Sequence, residues 1–152
     1  MTDQAASDRS VGVRPPAWFW AAAIAAILFE IVGVTGYLMD ALRSPGQIAQ
    51  LPLDQRLMWN ATPTWVYIAY AAATFSGLLG TVALILRRRW CIPLLGLSLV
   101  AVVVQFGGVY AVPRLRKLVP PDAMVVPIVI FTICALIYAL AHHAETRGWL
   151  RA

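Results

Sequence analysis

The chain has 152 residues, of which 61% are hydrophobic and 12% charged, with a net charge of +5 and a mean hydropathy of +0.74. Soluble domains carry about 45–50% apolar and about 25% charged residues, so a water-soluble globule and an intrinsically disordered chain are both excluded. The length suits one domain. The excess of basic residues does not point to nucleic acid, because the arginines fall in short stretches between apolar runs, where they set membrane orientation.

The polar stretch 1–16 is expected to be disordered. Four apolar runs follow, at about 17–39, 65–86, 90–112 and 124–141, each suited to crossing about 30 Å of hydrocarbon. In lipid they must be helical, because bare backbone finds no hydrogen-bond partner there. The expectation is an all-α integral membrane bundle of four transmembrane helices with a short polar tail over 142–152. The first run is too long for a signal-peptide core and no small-residue cleavage site follows it, so it reads as a retained anchor.

The connection 40–64 reads as two short helical turns. Ser44-Pro45 has the chemistry of an N-cap and first helical position. Pro52 restarts a turn with Leu53, Leu57, Met58 and Trp59 along one stripe, which predicts a short interfacial helix between spans one and two. Trp18, Trp20, Trp65, Trp90 and Trp149 mark the span ends, where interfacial indoles belong. Placing both termini inside puts Arg9, Arg14, Arg87, Arg88, Arg89, Arg147 and Arg151 on that side and the other five basic residues opposite. With the Arg- and Ala-rich composition, the expected location is a bacterial inner membrane with both termini cytoplasmic.

Glu30, near the middle of the first span, is the most informative residue. An ionisable group there costs roughly 3 kcal/mol on insertion scales and normally faces the bundle interior. A carboxyl that gains and loses a proton at that depth can couple proton movement to a solute. It can also serve assembly alone, through a hydrogen bond to a neighbouring helix. Helical spacing puts Ala26, Gly33 and Tyr37 on its face. Depth matching adds Tyr70 and Thr74 on span two, Gln105 on span three at roughly one turn's distance, and Thr132 on span four. These residues are the candidate binding layer.

Span two carries Ala69, Ala73 and Gly77 four apart, and Ala72, Ser76 and Gly80 likewise. Small residues at that spacing let helices approach closely, which predicts a central position for this span. His142 and His143 lack a third ligand, so no metal site is expected. Cys91 and Cys134 fit no redox or metal spacing. No catalytic set and no cofactor motif is visible, and the chain is not expected to be an enzyme.

Two resemblances enter at these residues. The stretches Trp65-Val66-Tyr67-Ile68-Ala69-Tyr70, Phe75-Ser76-Gly77-Leu78-Leu79-Gly80, Arg87 to Trp90 and Leu97-Ser98-Leu99 resemble a family of small four-span bacterial proteins often labelled sugar transporters. The likeness runs from about Phe29 to about Tyr138 and implies a four-helix membrane fold and a small solute, such as a sugar. Locally, Ala26-Ile27-Leu28-Phe29-Glu30-Ile31-Val32-Gly33-Val34-Thr35 is similar to the first span of the small multidrug resistance exporters. That resemblance implies a shared site for protons and lipophilic cations at Glu30. The long connection 40–64 departs from those exporters, which are shorter and tightly looped. Three readings therefore stand: a transporter-like protein that binds or moves a small solute with Glu30 as a proton-sensitive site, a proton-coupled exporter of lipophilic cations, and an accessory subunit of a larger membrane complex. Expected partners are the lipid bilayer and either a second copy or another membrane protein.

Overall fold

The structure, a computed structural model, describes residues 14–151; most of the N-terminal stretch expected to be disordered lies outside the described residues. The described residues form seven α-helices: α1 (Ala17–Ala41), α2 (Pro45–Ala49), α3 (Leu53–Ala61), α4 (Thr64–Ile85), α5 (Cys91–Ala111), α6 (Pro113–Arg116) and α7 (Val125–Thr146), the last preceded by a 3-10 turn at Pro121–Met124. Four segments, α1, α4, α5 and α7 with its leading turn, are long and apolar enough to cross a membrane. Their outward faces carry Ile24, Leu28, Val32, Val100, Val126 and Ile128 exposed. A helix that is apolar all round belongs in a core or in lipid.

α4 occupies the centre. Half of its apolar window is buried, against 28% for α5, 22% for α1 and 11% for α7. α1 packs on α4, α4 on α5, and α5 on α7. The small residues make this possible. Ala69, Ala73, Ser76, Gly77 and Gly80 are buried and Ala72 is half-buried. A Cβ on Gly80 would come 2.7 Å from Leu95 Cγ and 3.2 Å from the Leu95 backbone nitrogen, so α4 and α5 are nearly in backbone contact there. Ser98 on α5 donates to the Ala73 carbonyl of α4 at 2.7 Å, a buried link of the kind that joins helices where water is absent.

The connection between α1 and α4 holds two helices. Ser44 caps α2 through a capping box with Gln47, and Pro45 is the first helical residue. Pro52 is the N-cap of α3. The capping box satisfies free amides at the start of α2,, whereas α3 begins after Pro52 with no side-chain cap.

The opposite end of the bundle, where the α4–α5 turn, the start of α1 and the end of α7 meet, is closed by the last residues. α4 ends in a Schellman motif: Arg87 N–H bonds to the Leu84 carbonyl (3.0 Å) and Arg88 N–H to the Ala83 carbonyl (2.8 Å). Arg87 takes the left-handed conformation usually given to glycine,. α7 ends the same way, with Gly148 in that conformation, Gly148 N–H on Glu145 and Trp149 N–H on Ala144, both 2.9 Å. The turn sends Trp149 and Leu150 back into the core, 7% and 6% exposed. Trp149 meets Trp18 and Phe19 of α1 at 5.6 Å and His143 at 5.5 Å, edge to face. Arg151 lies in a one-residue parallel bridge with Arg88, through Arg89 N–H to the Arg151 carbonyl (3.1 Å) and Arg151 N–H to the Arg87 carbonyl. Trp149, expected to be an interfacial indole in a polar tail, is thus a core residue. The α7 helix also runs to Thr146, past the expected end of the fourth span near residue 141.

Candidate functional site

The α1–α4 seam is antiparallel, and its facing residues come in register from the α1 side. Glu30 meets Gly77, Gly33 meets Thr74, and Gly36 with Tyr37 meets Tyr70. A Cβ on Gly77 would lie 2.7 Å from the Glu30 carboxyl carbon and 2.8 Å from Oε1, well inside the ~3.5–4.0 Å of ordinary carbon contact. Glycine at 77 leaves room for the carboxyl where it stands, and a Cβ there would make it turn aside. One turn along, a Cβ on Gly33 would sit 3.7 Å from Thr74 Cγ2, and on Gly36 it would sit 3.2 Å from the Tyr70 hydroxyl oxygen. Tyr37 packs edge to face on Tyr70 (5.2 Å between ring centres) and on Phe75 (5.6 Å).

Glu30 is 5% exposed. Among the described residues, no side chain donates a hydrogen bond to its carboxyl. Cys134 of α7 is close enough to Glu30 for an electrostatic interaction. Cys134 packs with Ala73, Ala101 and Val102, against Phe29. Glu30 therefore sits where α1, α4 and α7 converge, among apolar groups.

Next to it is an opening. α1 and α7 are held apart over most of their length, and a groove of about 490 Å³ runs between them, lined by Ala22, Ala26 and Phe29 on one wall and Ile133, Ile137 and Leu140 on the other. It opens sideways, toward what would be lipid. Glu30 and Cys134 follow Phe29 and Ile133 in the chain but are not among the residues that line the groove.

The hydroxyls around this site are engaged by backbone. Thr74 donates within its own helix to Tyr70 (3.0 Å) and Ala71 (3.2 Å). Ser76 donates to Ala72, and Thr81 to Gly77 (3.1 Å) and Leu78 (2.9 Å). Thr132, expected in the polar layer, is exposed on the outer face of α7 and donates to Ile128 at 2.7 Å. A threonine can satisfy itself on its own helix, so its depth does not determine its direction. Gln105 is half-buried on α5, seven residues beyond Ser98, or about 10 Å at 1.5 Å per residue. Ser98 already lies level with Ala73, one turn outward of Gly77, so Gln105 is farther from Glu30 than the single turn expected. The structure sets Glu30, Thr74, Tyr70 and Tyr37 along one seam, with Tyr37 and Tyr70 seven residues, about 10 Å, from the level of Glu30 and Gly77, and leaves Gln105 and Thr132 off that seam.

A second, more polar recess lies at the connection end, lined by Tyr37, Ala41, Trp59, Asn60, Thr62 and Tyr67. Arg43 pairs with Asp40 at 2.9 Å and lies 5.8 Å from the Trp59 ring centre, while Trp59 packs on Tyr67 at 5.4 Å. Sequence reasoning placed Trp59 on the stripe of the interfacial helix and did not single out Arg43 or Tyr67 for this recess. The available signal was the alternation of aromatic and charged residues on either side of the connection. His142 pairs with Glu145 at 3.7 Å and His143 packs on Trp18 and Trp149. Among the described residues no three His, Cys, Asp or Glu side chains gather as metal ligands would. No family model, curated protein or solved structure matches the chain.

Proposed function

We propose that this chain is a four-span integral membrane protein of transporter type, in which Glu30 binds an amphiphilic cation or a proton in alternation. The observation that carries the reading is the Glu30 carboxyl, buried against Gly77 with no side-chain donor among the described residues, on the helix that also forms one wall of the apolar groove. An ionisable group held at that depth is a functional site by default. A cation with an apolar body suits a carboxylate that stands alone in the middle of an apolar helix, as Glu30 does in α1.

A sugar is the weaker candidate for this site. Sugars need several neutral donors and acceptors at once, and here Thr74, Ser76 and Thr81 have their protons on backbone carbonyls while Gln105 and Thr132 stand elsewhere. The membrane we assign is the bacterial inner membrane. The arginine-rich α4–α5 turn and both termini then lie on the cytoplasmic side, by the bias of basic residues.

The test is thermal melting of the purified chain in detergent, wild type against Glu30→Gln, with a panel of quaternary ammonium and phosphonium cations and a panel of mono- and disaccharides. A ligand of the folded state raises the melting temperature by mass action, by an amount equivalent to about 2.7 kcal/mol at a hundredfold excess over Kd. Cations should raise it in wild type and not in Glu30→Gln. A response to sugars alone would restore the sugar reading. No response from either panel would leave the accessory-subunit reading in its place.

A further inference from the structure

The two ends of the bundle differ in charge. At the end closed by the C-terminal residues, the described residues hold Arg14, Arg87, Arg88, Arg89, Arg147 and Arg151 against the single acid Glu145; the connection end holds five basic side chains against three acidic ones. The closed end also concentrates its charge. The bridge between Arg88 and Arg151 sets the last described residue beside three consecutive arginines, and Arg87 Nε donates to the Trp149 carbonyl at 2.6 Å. Arg88, Arg89, Arg147 and Arg151 are exposed. Partial burial and the neighbouring Arg151 push the Arg87 guanidinium below its usual range.

Like charges held side by side repel one another, yet backbone hydrogen bonds and a buried Trp-Leu pair fix this cluster in place. The cluster also sits at the rim where all four membrane-length helices have an end, near exposed Trp18, Trp20 and Trp90. Indoles favour the depth of lipid headgroups. The anions available at that depth are phosphodiesters of acidic lipids.

We infer that the arginine rim made by the α4–α5 turn and residues 147–151 is a binding site for the headgroup of an anionic phospholipid. Guanidinium groups suit it, because they grip phosphate oxygens in pairs. The inference rests on the membrane placement above but not on the role of Glu30.

The experiment titrates the full chain, held in phosphatidylcholine nanodiscs, with phosphatidylglycerol by varying the lipid fraction, and reads retained lipid by native mass spectrometry. Each arginine near the surface is worth about fivefold in affinity for acidic lipid, so Arg89→Gln with Arg151→Gln should weaken retention about 30-fold. These changes spare the backbone bonds of the bridge. Arg89→Lys with Arg151→Lys, which keeps the charge, should retain most of the binding and shows that the rim still folds. Arg114→Gln with Arg116→Gln, at the other end, should leave retention unchanged. Raising the salt from 0.1 M to 1 M should weaken binding, since screening then acts within about 3 Å. The inference fails if phosphatidylcholine is retained as tightly as phosphatidylglycerol, if the Gln pair binds like wild type, or if inorganic phosphate competes at equal concentration, which would mark a free-phosphate site. Loss of the cation response with lipid retention intact would overturn only the Glu30 reading.

Discussion

Gly77→Ala tests the geometry of the candidate site most directly. The added methyl would sit 2.7 Å from the Glu30 carboxyl carbon, an overlap of about 1 Å against ordinary contact. Overpacking of this size costs about 1–3 kcal/mol, partly offset by the roughly 1 kcal/mol that alanine gains over glycine within a helix. The expected net loss in the wild-type background is about 0–2 kcal/mol. In a Glu30→Ala background the overlap is gone, and the same change should stabilise by up to about 1 kcal/mol. The coupling between the two positions is then about 1–3 kcal/mol. Four proteins, unfolded reversibly in mixed micelles with increasing denaturing detergent, give the cycle. Gly80→Ala is the internal control: it meets the Leu95 backbone nitrogen as well as its side chain, so it should cost the same with or without Glu30. A coupling of Gly77 to Glu30 below about 0.5 kcal/mol, the level of independent sites, would refute the contact and with it the site.

Two further outcomes follow from the packing. Ser98→Ala removes the buried bond to the Ala73 carbonyl and should cost about 0.6 kcal/mol, and no more than about 1.7, in the same unfolding assay. Trp149→Ala empties a core position shared with Trp18, Phe19 and His143; it should cost about 3–5 kcal/mol, whereas an interfacial indole would show much less, and the melting temperature separates the two.

The long elements were legible because lipid-compatible runs must be helical and because arginine, proline and tryptophan interrupt them at their ends. Ser44-Pro45 and Pro52 could be read as helix starts because local chemistry alone decides caps. Glu30, Tyr37, Thr74 and Tyr70 were reachable because an α1–α4 antiparallel pair in contact leaves only one register for its small residues. Gln105 and Thr132 were not, since depth along a helix says nothing of rotation about it. The closing tail was missed because Gly148-Trp149-Leu150 is too short for periodicity; its signal was a glycine at a helix end followed by two large apolar residues, the sequence form of a Schellman turn.

The long helices pack on one another in the order in which they are joined along the chain. Such a bundle can be assembled as it is delivered to the bilayer, each helix finding its main neighbour already present, and contacts that are close in sequence form fast. The meeting of Trp18 with Trp149 is the exception, for it joins positions separated by almost the whole chain. With the Trp18–His143 contact beside it, this meeting ties α1 directly to α7 at the closed end, while the groove keeps the two helices apart farther along.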